Sequence, residues 1–221
     1  MIPWEVWSRV VRLAGESGRL GTGFIIDVDS GRFLVTAKHM CGEDREEQIT
    51  LSHPWTNDGS PIVQILERVG DLNALGDVAA FSLTAGLPIE TGGEVVATSD
   101  GFVYSQDCYL MGYPYGLATS FDRWEMTQQL PIVKRAIISG SSFENGGFRS
   151  IDVDTIANPG FSGGPLVFEN QKTASFHFGG VIRGTLMAPL KDEPEDEVQN
   201  PRVVSGLSQV TDLHAILALL P

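Results

Sequence analysis

Short apolar runs recur along the chain, each closed by Gly, Pro, Asp, Asn or Ser, in the rhythm of strands joined by turns. The first clear pair is 21–27 (GTGFIID) and 32–37 (RFLVTA), separated by Val28-Asp29-Ser30-Gly31. A polar turn cluster between β-branched and aromatic runs predicts a hairpin. Further strands are predicted at 62–67, 78–83, 94–97, 108–111, 132–139, 150–154, 165–168, 179–183 and 203–208. Residues 1–14 (MIPWEVWSRVVRLA) fit two patterns. Trp4, Trp7, Val10 and Val11 suit one helical face, while the alternation from Val6 to Leu13 partly suits a strand. The chain ends on 212–220 (DLHAILALL), where Leu213, Ile216, Leu217 and Leu220 share a helical face and Thr211 is placed to cap it. The pattern is all-β with a closing helix.

Composition narrows this picture. A chain of 221 residues lies within the reach of one all-β domain, and 42% hydrophobic content supplies a sizeable core. The most linker-like stretch, 84–93 (TAGLPIETGG), falls near the middle, and no repeat of solenoid length is visible. The net charge of −13 repels polyanions, so nucleic acid and membrane surfaces are not expected partners. The acidity reads as solubility, with a bias toward basic substrates as the sharper alternative. The charge run 191–197 (KDEPEDE) reads as a solvated loop. Cys41 and Cys108 permit one disulfide, but nothing local suggests it, and a secreted enzyme of this size usually carries several. The amino terminus lacks a signal-peptide pattern and no apolar run is long enough to span a bilayer. A soluble, cytoplasmic protein is expected.

The chemistry concentrates in Asn158-Pro159-Gly160-Phe161-Ser162-Gly163-Gly164-Pro165-Leu166. A serine hydroxyl is a poor nucleophile unless a base takes its proton and donors stabilise the oxyanion. Glycines around Ser162 allow a tight turn in which the N–H groups of Gly160 and Ser162 converge on one oxygen. A Gly-x-Ser-x-Gly match alone is weak, since α/β-hydrolases share it. The extension into Gly-Gly-Pro and an apolar strand is stronger. Among four histidines, His39 follows the apolar run 33–37 and so sits just past a strand end. His53 lies in a polar stretch, His177 before a strand and His214 on the closing helix. Asp77 immediately precedes the apolar run 78–81 and is preferred as the orienting acid over Asp71, which precedes a poorer strand.

With these residues in hand, a resemblance emerges. Thr36-Ala37-Lys38-His39, Asp77-Val78-Ala79 and 160–165 resemble the three catalytic blocks of trypsin-like serine proteases, in the order of the chymotrypsin clan. The spacings, 38 residues from His39 to Asp77 and 85 from Asp77 to Ser162, suit a compact bacterial version. Gly21-Thr22-Gly23-Phe24, 112–116 (GYPYG) and 158–167 are similar to the protease domain of the high-temperature-requirement family.

The resemblance implies one trypsin-like peptidase domain over 1–221, made of two perpendicular six-stranded β-barrels with the active site between them. The first barrel would span about 20–90, the second about 94–210, and a helix at 211–220 would close the fold. It implies a serine endopeptidase with a His39, Asp77, Ser162 triad, a Gly160/Ser162 oxyanion hole, and no cofactor or metal. It also implies a primary pocket built from Ile156 and from Val181, Ile182, Arg183, Gly184 and Thr185. No carboxylate is visible near Ile156, so a small or medium apolar side chain is expected before the scissile bond; an overhang of 191–197 would favour basic ones instead. Phe161 stands where trypsin-like zymogens carry an aspartate, there is no Ile-Val-Gly-Gly-like segment in 1–221, and control by a peptide-binding regulatory domain is not expected. The implied substrate is a protein or peptide, and control by an activating protein partner or ligand is expected. A catalytically idle binding or scaffold module, or an esterase with the same triad, are the rival readings. Cys41, two residues past His39, reads as a structural thiol rather than a redox neighbour of the site.

Overall fold

Short apolar strands must bury one or both faces, and they are stable only when they close on one another. The computed structural model describes residues 1–14, 19–52, 61–72, 76–83, 91–123, 126–144, 147–189 and 202–221. After a single-turn helix, α1 (Trp4–Trp7), come β1 (Val10–Ala14), β2 (Leu20–Val28), β3 (Gly31–Ala37), β4 (Glu46–Ser52), β5 (Ile62–Leu72) and β6 (Val78–Ser82). They form a closed barrel in the order β1-β2-β3-β6-β5-β4. The ambiguous stretch 1–14 thus holds both elements, helix first and strand second. Leu13, Ile25, Leu34, Ile49, Leu51, Leu66 and Phe81 fill this barrel.

The second half contributes β7 (Val96–Ala97), β8 (Asp107–Gly112), β9 (Thr119–Arg123), β10 (Met126–Leu130), β11 (Ile132–Phe143), β12 (Arg149–Asp154), β13 (Pro165–Asn170), β14 (Ser175–Pro189) and β15 (Arg202–Asp212). The order β13-β8-β11-β12-β15-β14 closes through a β13–β14 pairing, so this sheet is also a six-stranded barrel. The two-residue β7 adds to β14 in parallel, and β9 with β10 makes a separate hairpin. Leu110, Ile138, Ile151, Phe161, Leu166, Phe168 and Val210 pack inside the second barrel.

A third cluster joins the two. Phe24, Val35 and Val78 from the first barrel meet Met111, Tyr113, Phe178 and Val181 from the second, with Leu213 and Ile216 of the closing helix α2 (Leu213–Leu217). Each such side chain, fully withdrawn from water, contributes about 1.5–3 kcal/mol. The closing helix is shorter than the expected 211–220. Its cap is Asp212, whose carboxylate accepts from the His214 N–H, and not Thr211, whose hydroxyl donates to the Gly76 carbonyl at 2.5 Å. The amino-terminal segment pins the connection between the barrels: Arg9 binds Asp27 at 2.7 Å and the Gly93 carbonyl at 3.0 Å, and Ser8 Oγ accepts from the Gly92 N–H. Residues 84–90 of the linker-like stretch, the acidic run 191–197 and His53 lie outside the described residues. Both cysteines are free thiols. Among the described residues no helix is long and apolar enough to cross a membrane.

Candidate active site

The sequence Asn158-Pro159-Gly160-Phe161 carries the signature of a type II turn, with Pro second and Gly third. The structure has that turn. The Phe161 N–H donates to the Asn158 carbonyl at 3.1 Å and Gly160 has φ +99°. Surrounding carbonyls are all committed: Pro159 O accepts from the Tyr115 N–H at 2.8 Å, Phe161 O from Gly164 N–H at 2.9 Å, and Ser162 O from Thr22 N–H at 3.0 Å. Gly160 O accepts from Thr22 Oγ1 at 2.6 Å. Among the described residues, the N–H groups of Gly160 and Ser162 make no hydrogen bond, which leaves two donors available for an oxyanion. The glycines are required by crowding. A Cβ on Gly160 would lie 2.4 Å from Tyr113 O, and one on Gly163 2.1 Å from Thr22 O.

Two backbone bonds between Ile182 and the glycines, Gly163 N–H to Ile182 O and Ile182 N–H to Gly164 O, fasten the turn to β14. The next β14 residue, Arg183, offers its carbonyl to the Ser162 hydroxyl at 3.0 Å. Among the described residues this hydroxyl makes no hydrogen bond to His39.

His39 sits in a single 3₁₀ turn, Lys38–Met40, directly after β3. Asp77 leads into β6, the neighbour of β3, so the two side chains meet at the same barrel end. Asp77 Oδ2 lies 2.6 Å from His39 Nδ1, and Oδ1 accepts from the His39 backbone N–H at 2.9 Å. With Nδ1–H donating to the carboxylate, Nε2 is left with its lone pair. The Lys38 N–H also donates to the Asp77 carbonyl at 3.0 Å, which helps hold Asp77 in its left-handed conformation at φ +48°. Asp71, the competing acid, is taken up elsewhere: it pairs with Lys38 at 3.3 Å and Arg68 at 3.1 Å, and Arg68 in turn pairs with the buried Glu47. Burial pushes the Cys41 thiol up to about 12, an inert thiol at neutral pH.

A cleft of about 680 Å³ is lined by His39, Asp77, Arg183, Gly184, Thr185 and Gln209, together with Arg19, Lys38, Cys41 and Glu43. Of the residues expected to form a primary pocket, Arg183, Gly184 and Thr185 line this cleft. Val181 and Ile182 are fully buried in the two cores, and Ile156 is exposed. The Arg183 side chain turns away to Ser150 and Glu144; burial draws its guanidinium below its ordinary range, opposed by Glu144, Asp77 and Asp152. Among the remaining histidines, His177 is buried on β14 and His214 lies on the closing helix.

The sequence motif around Gly21-Thr22-Gly23 was legible, but the role of Thr22 was not. Its hydroxyl donates to Gly160 O and accepts from the Tyr113 N–H at 3.0 Å, while its carbonyl accepts from Thr36 Oγ1 at 2.7 Å. One buried residue of the first barrel therefore fixes the serine turn of the second.

Two closed six-stranded barrels, with a His–Asp pair from one and a serine on a glycine turn from the other, define the trypsin-like class. The chain belongs to the trypsin-like peptidase domain family, whose profile matches residues 21–173. No curated protein sequence matches the chain. Solved structures similar in fold include the HtrA-type protease AlgW with a tripeptide, at 21% identity and TM-score 0.63 over 97% of this chain and 59% of that one. The serine endoprotease from Yersinia pestis is similar at 20% identity and TM-score 0.62, over 97% and 62%. The inactive form of the Rv3671c protease from M. tuberculosis is similar at 16% identity and TM-score 0.60, over 97% and 88%. The chain thus spans about three fifths of the length of the first two.

Proposed function

We propose that the chain is a serine endopeptidase that hydrolyses peptide bonds through an acyl-enzyme. The observation that carries this reading is the convergence on one cleft of the Asp77-bound His39 ring and of Arg183, whose carbonyl holds the Ser162 hydroxyl. Ser162 Oγ attacks the substrate carbonyl carbon while His39 Nε2 takes its proton, and Asp77 orients the ring and stabilises the imidazolium. The carbonyl oxygen becomes an oxyanion held by the Gly160 and Ser162 N–H groups. His39 returns the proton to the departing amine, and water, activated by the same base, releases the acyl group.

Attack requires the Ser162 hydroxyl to leave Arg183 O and turn to His39. The resting bond is consistent with a site that becomes active on occupancy, by substrate or by an activating partner. It also favours the idle-scaffold reading enough to demand a direct test. Reaction with a fluorophosphonate probe is expected for the wild-type chain and absent for Ser162→Ala, with a loss in kcat on the order of 10⁴ to 10⁶. An unlabelled wild-type protein would sink the protease reading. Undiminished hydrolysis by Ser162→Ala would move the nucleophile elsewhere.

The same assay run on a peptide panel addresses specificity. Thr185 Oγ1 donates to the Ala157 carbonyl at 2.9 Å, and Ser208 Oγ accepts from the Ala157 N–H at 2.8 Å. These bonds draw the segment before the serine turn against β14 and β15, which supports a shallow pocket and preference for small or medium apolar residues over basic ones.

A further inference from the structure

Triad chemistry makes no use of Lys134, a half-buried residue on β11 opposite Leu110 of β8. Its ammonium donates to the Ile156 carbonyl at 2.5 Å and to Asn158 Oδ1 at 2.7 Å. It also stands 5.6 Å from the centroid of the Phe161 ring. Asn158 and Phe161 are the first and last residues of the type II turn. The Phe161 ring is fully buried, tight against Gly112, where an added Cβ would lie 2.9 Å from it. One cation from the barrel wall therefore grips the chain just before the turn and at both of its ends.

Such a grip has a physical purpose. Type I and type II turns differ by a flip of their central peptide. Here that peptide is Pro159–Gly160, and a flip would reverse the Gly160 N–H. Glycine accepts either sign of φ, so the residue that permits the type II form does not enforce it. Enforcement must come from contacts made to the turn from outside it. The Tyr115 N–H holds the carbonyl of the central peptide itself, and Lys134 fixes the chain that leads into it, at Ile156 and Asn158.

We propose that Lys134 is a positioning residue that keeps the 156–161 segment in the form that presents the Gly160 and Ser162 N–H groups to an oxyanion. Its catalytic consequence rests on the protease reading; its effect on the turn does not. A lysine has three donors, and here two meet oxygen acceptors while the charge lies near an aromatic ring, an arrangement a neutral side chain does not reproduce. Burial also draws Lys134 below the ordinary lysine range, so the clamp weakens at a less alkaline pH than a surface lysine would.

The test compares wild type, Lys134→Met and Lys134→Arg by hydrogen exchange and by turnover. Lys134→Met is expected to raise amide exchange across 156–164 about tenfold or more while both barrels keep wild-type protection. It should lower kcat about 10- to 100-fold with KM changed less than about threefold. Affinity for a peptide aldehyde, whose hemiacetal oxygen would occupy the same two N–H groups, should fall in parallel with kcat. Lys134→Arg should restore most of each quantity and carry activity further to alkaline pH. Wild-type exchange across 156–164 in Lys134→Met overturns the proposal, as does unchanged aldehyde affinity in an active enzyme. If Lys134→Met does not fold, Asn158→Ala removes only the side-chain acceptor, and unchanged exchange there overturns it equally. Raised exchange in variants of a chain that hydrolyses no peptide upholds the clamp and defeats the protease reading instead.

Discussion

At the scale of single residues, Thr22 shows how one hydroxyl can matter as much as a catalytic group. It is fully buried, and its oxygen serves Gly160 O as donor and Tyr113 N–H as acceptor at once. Thr22→Val keeps the shape and strands both partners. Each buried unsatisfied group costs about 1–3 kcal/mol, so a loss of about 2–6 kcal/mol in stability is expected, read as a lower urea midpoint. The fluorophosphonate labelling rate should fall with it, whereas Thr22→Ser should retain both. Cys41 illustrates the opposite lesson. Its neighbourhood to His39 suggests reactivity, yet burial keeps the thiol protonated and it remains a packing residue.

At the scale of elements, the serine turn depends on backbone that approaches backbone. Gly163 has φ +84° and would place a Cβ 2.1 Å from Thr22 O and 2.2 Å from Thr36 Oγ1. Gly163→Ala is expected to cost at least about 2 kcal/mol from strain and overpacking combined, measured by chemical denaturation. Which elements were legible follows from how they bury their residues. Strands β2, β3, β6, β8 and β13 are buried on much of both faces and read as apolar runs. Strand β4 escaped notice because it opens with Glu46-Glu47-Gln48, and Glu47 points inward to pair with the buried Arg68, so a charge occupies a core-facing position. Strands β9 and β10 pair only with each other and belong to neither barrel, so the chain there carries no need for a strongly apolar face. The His39–Asp77 pairing was legible because both residues flank strands that prove to be neighbours. The contacts of Thr22 and Lys134 were not, since they join segments more than 20 residues apart and neither residue type announces such a bond.

At the scale of the whole molecule, pH acts through His177. It is buried on β14, with Ser175 Oγ 3.0 Å from Nε2 and the Phe168 ring edge-on at 5.5 Å; among the described residues its Nδ1 has no partner. Burial lowers its pKa from the ordinary 6.5. As pH falls through about 6.5 the unfolded chain takes up a proton that the folded chain resists, so stability declines down to the folded-state pKa. Urea midpoints at pH 7.5, 6.5 and 5.5 should decline less steeply for His177→Phe than for wild type. An identical pH dependence in the two proteins would count against this account.

The contact made by Thr22 has a consequence for assembly. The machinery that would polarise a substrate is split between two separately closed shells, and the residue that shapes the serine turn is supplied by the shell that does not contain it. Neither half alone holds a finished site. Under the proposed mechanism, labelling of Ser162 would gauge whether the two shells are seated on each other, and a loosened seam would be expected to lower it while each barrel stayed closed.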